Sequence, residues 1–200
     1  LGGARAGWKD RSPVSRISTY GFLILYSSPP FFLGLLALYI FSFQLRWFPL
    51  KSVYTSGNIP MVFHHLFLPV LVLTLFAAAR NFLVMKGSVL QEKTKLYVLQ
   101  ARASGLADKD IVRNHLTKNA ALPVMTLVAL DFGFLLSGAL LIEIIFSLNG
   151  MGTLIYDALQ ARDYPTLQGA FLLITVMVIL ANISTDILYG LIDPRVKEER

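Results

Sequence analysis

The 200-residue sequence contains no cysteine and few charged residues, and these deficits narrow the class of protein. Without cysteine, neither disulfides nor thiol chemistry is available. Charged residues make up 15% of the chain and hydrophobic residues 55%, whereas about 25% of a soluble domain is charged. No phosphate-binding loop of the form GxxxxGKS or GxxxxGKT occurs, and the three histidines lack metal-ligand spacing. The sequence therefore predicts a membrane protein, with no catalytic or metal site.

Several uncharged runs are long enough to cross a bilayer. The 29 residues between Arg16 and Arg46 and the 28 between Lys51 and Arg80 include no aspartate, glutamate, lysine or arginine. A transmembrane helix needs about 20 mostly apolar residues. We therefore expect an all-α, polytopic membrane helix bundle with four transmembrane helices, at about residues 18–43, 62–85, 120–146 and 166–190.

The basic residues are concentrated in alternate loops. Of the 18 lysines and arginines, 14 precede the first expected span, lie in the loop 86–119 or follow the last span, and the other two loops hold three. By the positive-inside rule, both ends of this chain and the loop 86–119 are expected in the cytoplasm, and the protein in the cell membrane. This topology accounts for the net charge of +6, so nucleic-acid binding is not expected.

The loop 86–119 carries signals of ordered helices. Ser88 and Gln91 form a capping-box pattern that predicts a helix start, Gly105 suits a helix end, and Asp108 suits the N-cap of the next helix. Before Gly105, one helical face is predicted to hold Val89, Leu90, Lys93, Tyr97 and Ala101. After it, the positions predicted to be apolar follow the same period, at Ile111, Val112, His115 and Leu116. The pattern predicts a helix, a glycine turn and a short helix, although a merely solvated basic loop remains the alternative.

A few polar and helix-breaking residues fall within the expected spans. Pro29 and Pro30 predict a kink near Ser28. Asp131 lies about eleven residues into the third span, roughly 16 Å deep at 1.5 Å per residue, where a carboxylate costs about 2.5–3.5 kcal/mol. Asp131 and Glu143, which lies near the outer end of that span, are pathway candidates. Pairing of Asp131 with Arg80 or with another helix is the alternative. Arg80 itself either reaches the headgroups or pairs with an acidic residue inside the bundle.

Four stretches, taken in order, resemble the inner-membrane permease subunits of ATP-binding-cassette importers. The closest likeness is to the first permease of the pair in the branch that serves dipeptides, oligopeptides and nickel. The resemblance covers nearly the whole chain. The four stretches are FFLGLLALYIFSFQLRWFP (31–49), YVLQARASGLADKDIVRNHLTKNAALPV (97–124), GALLIEIIFSLNGMGTLIYDALQARDYPTLQG (138–169) and NISTDILYGLIDPR (182–195). The resemblance implies a single transmembrane permease domain over residues 1–200. It also implies that segments upstream are missing, as the absence of an initiator methionine suggests.

The resemblance further implies how such a chain works. A turn docks on a separate ATPase subunit and couples ATP hydrolysis to movement of the spans; here its residues are Ala101, Arg102, Ala103, Ser104, Gly105 and Leu106. The implied partners are two ATPase subunits, which bind ATP and Mg, a second permease subunit and an extracytoplasmic solute-binding protein. Ser104 departs from the lysine that this branch often has, and only Ala101 remains of the Glu-Ala-Ala that opens the general permease motif.

The outer loop after the third span supplies further candidates. A short helix is expected between Thr153 and Ala161, and Asp157, Arg162 and Asp163 are outer-face candidates for contact with the solute or its binding protein. The solute stays open among peptides, nickel and oligosaccharides, as does homo- or heterodimeric pairing of the permeases. An ion-coupled secondary transporter and a non-transporting membrane scaffold are the alternative functions.

Overall fold

The structure is a computed structural model that describes residues 2–51, 59–136 and 139–192. The described part is built from helices. In chain order they are α1 (Gly2–Trp8), α2 (Pro13–Ser27), α3 (Pro30–Ala37), a π-helical segment (Leu38–Gln44), α4 (Ile59–Glu92), α5 (Leu96–Ala103), α6 (Asp108–Asp110), a second π-helical segment (Ile111–Leu116), α7 (Thr117–Leu136), α8 (Leu140–Phe146), α9 (Met151–Gln160) and α10 (Tyr164–Ile192).

Two of these helices are long and apolar enough to cross a membrane, namely α4 and the Tyr164–Ser184 part of α10. Two helix pairs meet the same requirement if each bent pair is one span. They are Pro13–Ser27 with Pro30–Gln44, bent by 99°, and Leu140–Phe146 with Met151–Gln160, bent by 90°. The prediction of an all-α polytopic membrane protein is confirmed, with two to four spans among the described residues.

The helix breaks follow the proline positions in the first expected span. Ser28 has an extended backbone between α2 and α3, because neither Pro29 nor Pro30 can donate the backbone hydrogen bond that would continue the helix. The predicted kink near Ser28 is therefore confirmed. The segment 120–146 is divided between α7 and α8, and residues 137 and 138 between them lie outside the described part. The sequence predicts that Pro194 ends the last helix, because proline cannot continue it, and this residue also lies outside the described part.

The chain forms two compact units, which we describe separately: Leu1–Leu33 with Val70–Val128, and Gly34–Pro69 with Ala129–Arg200. The core of the first unit lies where α1, the end of α4, α5, the second π-helical segment and the start of α7 meet. Its buried members are Ala4, Trp8, Met85, Val89, Val98, Ile111, Leu116 and Ala120. The loop between two predicted spans therefore covers a hydrophobic core of its own.

Helix α1 approaches α4 closely because it presents glycine to it. A Cβ at Gly7 would lie 2.7 Å from Cβ of Val89 and 2.9 Å from the carbonyl oxygen of Lys86. Gly3, one turn earlier, is equally confined against Met85. Glycine four residues apart allows two helix backbones to pack at short range. This contact fixes α1 on α4 at the edge of the core.

Three predictions for the loop 86–119 are wrong in detail. Helix α4 continues through Ser88 to Glu92, because no glycine turn or proline interrupts it before the capping-box pattern. The N-cap of α6 is Ala107, and Asp108 occupies the first helical position without capping. His115 is exposed, because the π-helical segment places Ile111 and Leu116, five residues apart, in the core.

In the second unit, helices pack around small residues. A Cβ at Gly34 would lie 3.3 Å from the ring of Phe146 and 3.4 Å from Ile142. Near the end of α3 and its π-helical continuation, Phe48 stacks on both His64 and Phe67, with ring centroids 5.1 Å apart in each pair. Helix α9, at Met151–Gln160, confirms the short helix expected between Thr153 and Ala161.

We predict that Gly7→Ala destabilises the protein by about 1–3 kcal/mol, the usual cost of overpacking. The added methyl group overlaps Val89 and the α4 backbone, neither of which is a flexible chain end. The matched control is Gly87→Ala on α4, where a Cβ meets nothing within 4 Å and helix propensity improves. Thermal unfolding in detergent measures both variants, and equal midpoints would contradict the close packing of α1 on α4.

Candidate functional site

The α5–α6 segment, residues 96–110, contains the turn that the sequence singled out. Gly105 has a φ of +79°, a left-handed conformation that favours glycine. Its N–H donates to the carbonyl oxygen of Arg102 at 2.9 Å, and the N–H of Leu106 donates to that of Ala101 at 3.2 Å. These two bonds define a Schellman C-cap. The expected glycine turn is confirmed, and it has a defined shape.

One side of this segment is anchored in the first unit. Val98 is completely buried, and Tyr97 and Ala101 pack against the same core. The hydroxyl of Tyr97 donates to Oε2 of Glu92 at 2.7 Å, which fastens α5 to the end of α4. The turn therefore rests on a packed base, as a preformed surface requires.

The opposite side is exposed and apolar. Leu96 is 82% exposed, Leu99 51% and Leu106 44%. Ala103, Ser104 and Gly105 are also exposed. On α5, Leu96, Leu99 and Ala103 are separated by three and four residues, so they share one face of the helix. We call Leu96, Leu99, Ala103 and Leu106 the docking face.

Arg102, an exposed member of the predicted turn, contacts two residues of this chain. Its guanidinium carbon is 4.6 Å from the ring centroid of Trp8, and its Nε is 3.5 Å from Oδ1 of Asp108. The side chain is thus held by residues of this chain. Trp8 was missed by the sequence reasoning, although glycines at positions 3 and 7 signal a closely packed helix just before it.

The two acidic pathway candidates lie in the second unit, in different surroundings. Asp131 is half-buried in α7. Glu143 is only 9% exposed, and its Oε2 accepts the backbone N–H of Thr153 at 2.8 Å. A Cβ at Gly150 would lie within 2.5 Å of Oε1 of that carboxylate. Glu143 therefore caps the start of α9, and protein rather than solvent surrounds it in this structure.

The three outer-face candidates are all exposed and lie on α9 or between α9 and α10. Asp163 accepts hydrogen bonds from the N–H of Thr166 at 3.1 Å and from its hydroxyl at 2.6 Å. These hydrogen bonds from Thr166 hold the pKa of Asp163 below its ordinary value. Asp163 thus caps α10, Arg162 turns the chain with a φ of 55°, and Asp157 lies on α9. No group of three metal-ligating side chains occurs within residues 2–51, 59–136 and 139–192.

Comparison with known proteins identifies the family. A family model described as "Binding-protein-dependent transport system inner membrane component" matches residues 1–198. A putative peptide permease protein of Brucella ovis is 42% identical over 185 residues, which cover 89% of this chain and 58% of that protein. A di/tripeptide transport system permease protein of Pseudomonas aeruginosa is 36% identical, covering 88% and 58% respectively.

A third relative carries a different solute in its name. The glutathione transport system permease protein of Escherichia coli is 34% identical over 192 residues, which cover 96% of this chain and 60% of that protein. The chain thus spans less than two thirds of the length of these three relatives. Because the family model covers nearly every residue, the resemblance found in the sequence is confirmed. The chain belongs to the family of inner membrane components of binding-protein-dependent transport systems.

Proposed function

We propose that this chain forms part of the transmembrane pathway of an ATP-driven, binding-protein-dependent importer of peptides or related small solutes. Its family and the peptide and glutathione permeases among its relatives support this proposal. The observation that carries it is the docking face, an apolar surface on a rigid turn that follows the membrane-length helix α4. Exposed apolar patches of this kind mark interaction sites.

The proposed occupant of the docking face is a separate ATPase subunit, which binds ATP and Mg and performs hydrolysis. The complete transporter has two such subunits, a second permease subunit and an extracytoplasmic solute-binding protein. The concentration of lysine and arginine in the loop 86–119 and at both ends of the chain supports a cytoplasmic position for the docking face. The ATPase would then approach from the compartment that holds ATP.

The geometry of the turn suits transmission of force. Helix α5 buries Val98 on one side and presents Leu99 on the other, while the Schellman bonds close the turn at Gly105. A push on Leu99 or Leu106 therefore acts on a body already packed against α4 and α7. Rigid-body movement of packed helices is one of the known ways in which transporters switch between states.

The pathway itself is proposed to include Asp131. A half-buried carboxylate in a membrane helix is costly to insert and is usually functional. Glu143 is proposed to contribute to the pathway by holding the start of α9 through Thr153, and the exposed Asp157, Arg162 and Asp163 are proposed to meet the solute or its binding protein.

We predict that Leu99→Glu and Leu106→Glu each reduce co-purification of the ATPase subunits at least about tenfold, because each places a charge in an apolar contact. Leu159→Glu is the matched control, since Leu159 is 59% exposed but lies on α9 in the second unit. Quantitative immunoblotting of complexes purified through a tag on this chain measures the effect. Undiminished ATPase recovery in the docking-face variants would contradict the proposed function.

We predict that Asp131→Asn lowers solute uptake by about tenfold or more while ATPase recovery stays unchanged, because the substitution removes a charge inside the membrane without altering the docking face. Uptake of a labelled dipeptide by whole cells, with and without an inhibitor of ATP synthesis, measures the effect. The control is Lys118→Gln, which removes an exposed charge from the same helix just before the expected span. Normal uptake by Asp131→Asn would remove this residue from the mechanism, and ATP-independent uptake would favour an ion-coupled carrier.

A further inference from the structure

Trp8 joins the two sides of the glycine turn. Its indole Nε1 donates a hydrogen bond to Oδ2 of Asp108 at 3.2 Å, and the guanidinium carbon of Arg102 lies 4.6 Å from the ring centroid. Arg102 and Asp108 also approach each other, with Nε 3.5 Å from Oδ1. Arg102 precedes Gly105 and Asp108 follows it, so the three side chains form a closed set across the turn.

The same tryptophan also holds the start of α5. Nζ of Lys93, which lies between α4 and α5, donates to the backbone oxygen of Trp8 at 2.8 Å and lies 5.3 Å from its ring centroid. Both ends of α5 are therefore tied to one residue. That residue is 9% exposed and belongs to the buried core, so the ring is fixed while its cationic neighbours are partly solvated.

Helix α1, which ends at Trp8, is connected in turn to α2 and α4. The hydroxyl of Ser15 donates to the carbonyl oxygen of Ala6 at 2.7 Å, and Nζ of Lys86 lies 2.7 Å from Oδ1 of Asp10. The hydrogen bond from Lys86 holds the pKa of Asp10 below its ordinary value. Lys86 also donates to the hydroxyl of Thr19 at 3.0 Å. A contiguous set of contacts thus leads from the turn through α1 to α2.

We propose that Trp8 is a positioning residue that carries displacement of the α5–α6 turn into α1 and α2. The proposal rests on the proposed function, since it assumes that an ATPase moves the turn. The contacts around Arg102 and Asp108 are solvent-exposed, with side chains 41% and 62% accessible, and exposed contacts of this kind contribute little to stability. Their closed arrangement is therefore better suited to coupling two segments than to holding the fold together. Such coupling requires a contiguous element with two arrangements, which nucleotide-dependent reporters on the turn and on α2 would detect.

The experiment uses the complete transporter in proteoliposomes. The 200 residues contain no cysteine, so a single reporter cysteine can be introduced into them and labelled specifically. One reporter, Lys109→Cys, lies at the exposed turn, and the other, Ile17→Cys, lies on α2 where the native side chain is 72% exposed. Each is labelled with an environment-sensitive fluorophore. ATP with vanadate is the probe, and the fluorescence change between the nucleotide-free and trapped states is the measurement.

We expect both reporters to respond to ATP with vanadate when Trp8 is present. In Trp8→Leu the response at position 17 should fall about fivefold, the factor expected from one or two lost contacts of this strength, while the response at position 109 persists. Trp8→Phe, which keeps a ring beneath Arg102 but cannot donate to Asp108, should give an intermediate loss and guards against misfolding of the leucine variant. Trp47→Phe, the matched control at the other tryptophan of the chain, should change neither response.

The outcomes separate the two proposals. If position 109 responds but position 17 responds equally with and without Trp8, the role of Trp8 is overturned and the proposed function stands. The same holds if position 17 gives no response in the protein with Trp8. If position 109 itself gives no response, the turn is not moved by an ATPase, and both proposals are overturned.

Discussion

Burial of Val98, Ile111 and Leu116 beneath the α5–α6 segment is the constraint on which the first unit depends. All three are completely buried, and each such side chain contributes about 1.5–3 kcal/mol of hydrophobic stabilisation relative to exposure. Because α5 packs on this core through Val98, the residues on its opposite side are exposed to solvent, namely Leu96, Leu99 and Ala103. A solvated loop without a core does not explain the exposed leucine side chains, whereas a rigid surface that binds a partner does explain them.

The packed base also determines how the turn relates to the membrane helices. The core includes residues of α4 and α7, so the segment that carries the docking face lies directly on helices that continue into the apolar parts of the chain. Trp8 adds a second route, through α1. The close approach of Gly7 to Val89 makes that route possible, because any larger residue would hold α1 away from α4.

Local signals in the sequence predicted the helical class, the kink near Ser28 and the turn at Gly105, because each depends on residues close in the chain. The capping-box pattern at Ser88 was misleading, because Ser88 lies inside α4, and a helix continues past such a pattern unless a helix-breaking residue or turn ends it. Asp108 does not cap α6; its carboxylate instead contacts Trp8, a hundred residues away. The burial of Ile111 and Leu116 follows a π-helical rather than an α-helical period, and the capping of α9 by Glu143 depends on the turn between α8 and α9. None of these three features is visible in local spacing.

The central claim is that an ATPase subunit covers the docking face. Ala103→Cys introduces a single thiol on that face with little change in volume. Val14→Cys is the matched control, since Val14 is 75% exposed and precedes the first expected span, on the side of the membrane where the docking face is expected. Inside-out vesicles are treated with a membrane-impermeant maleimide, with the ATPase subunits bound or removed. If an ATPase subunit covers the docking face, bound ATPase slows labelling at position 103 at least about tenfold and leaves labelling at position 14 unchanged. Equal labelling rates at position 103 in the two preparations would contradict it.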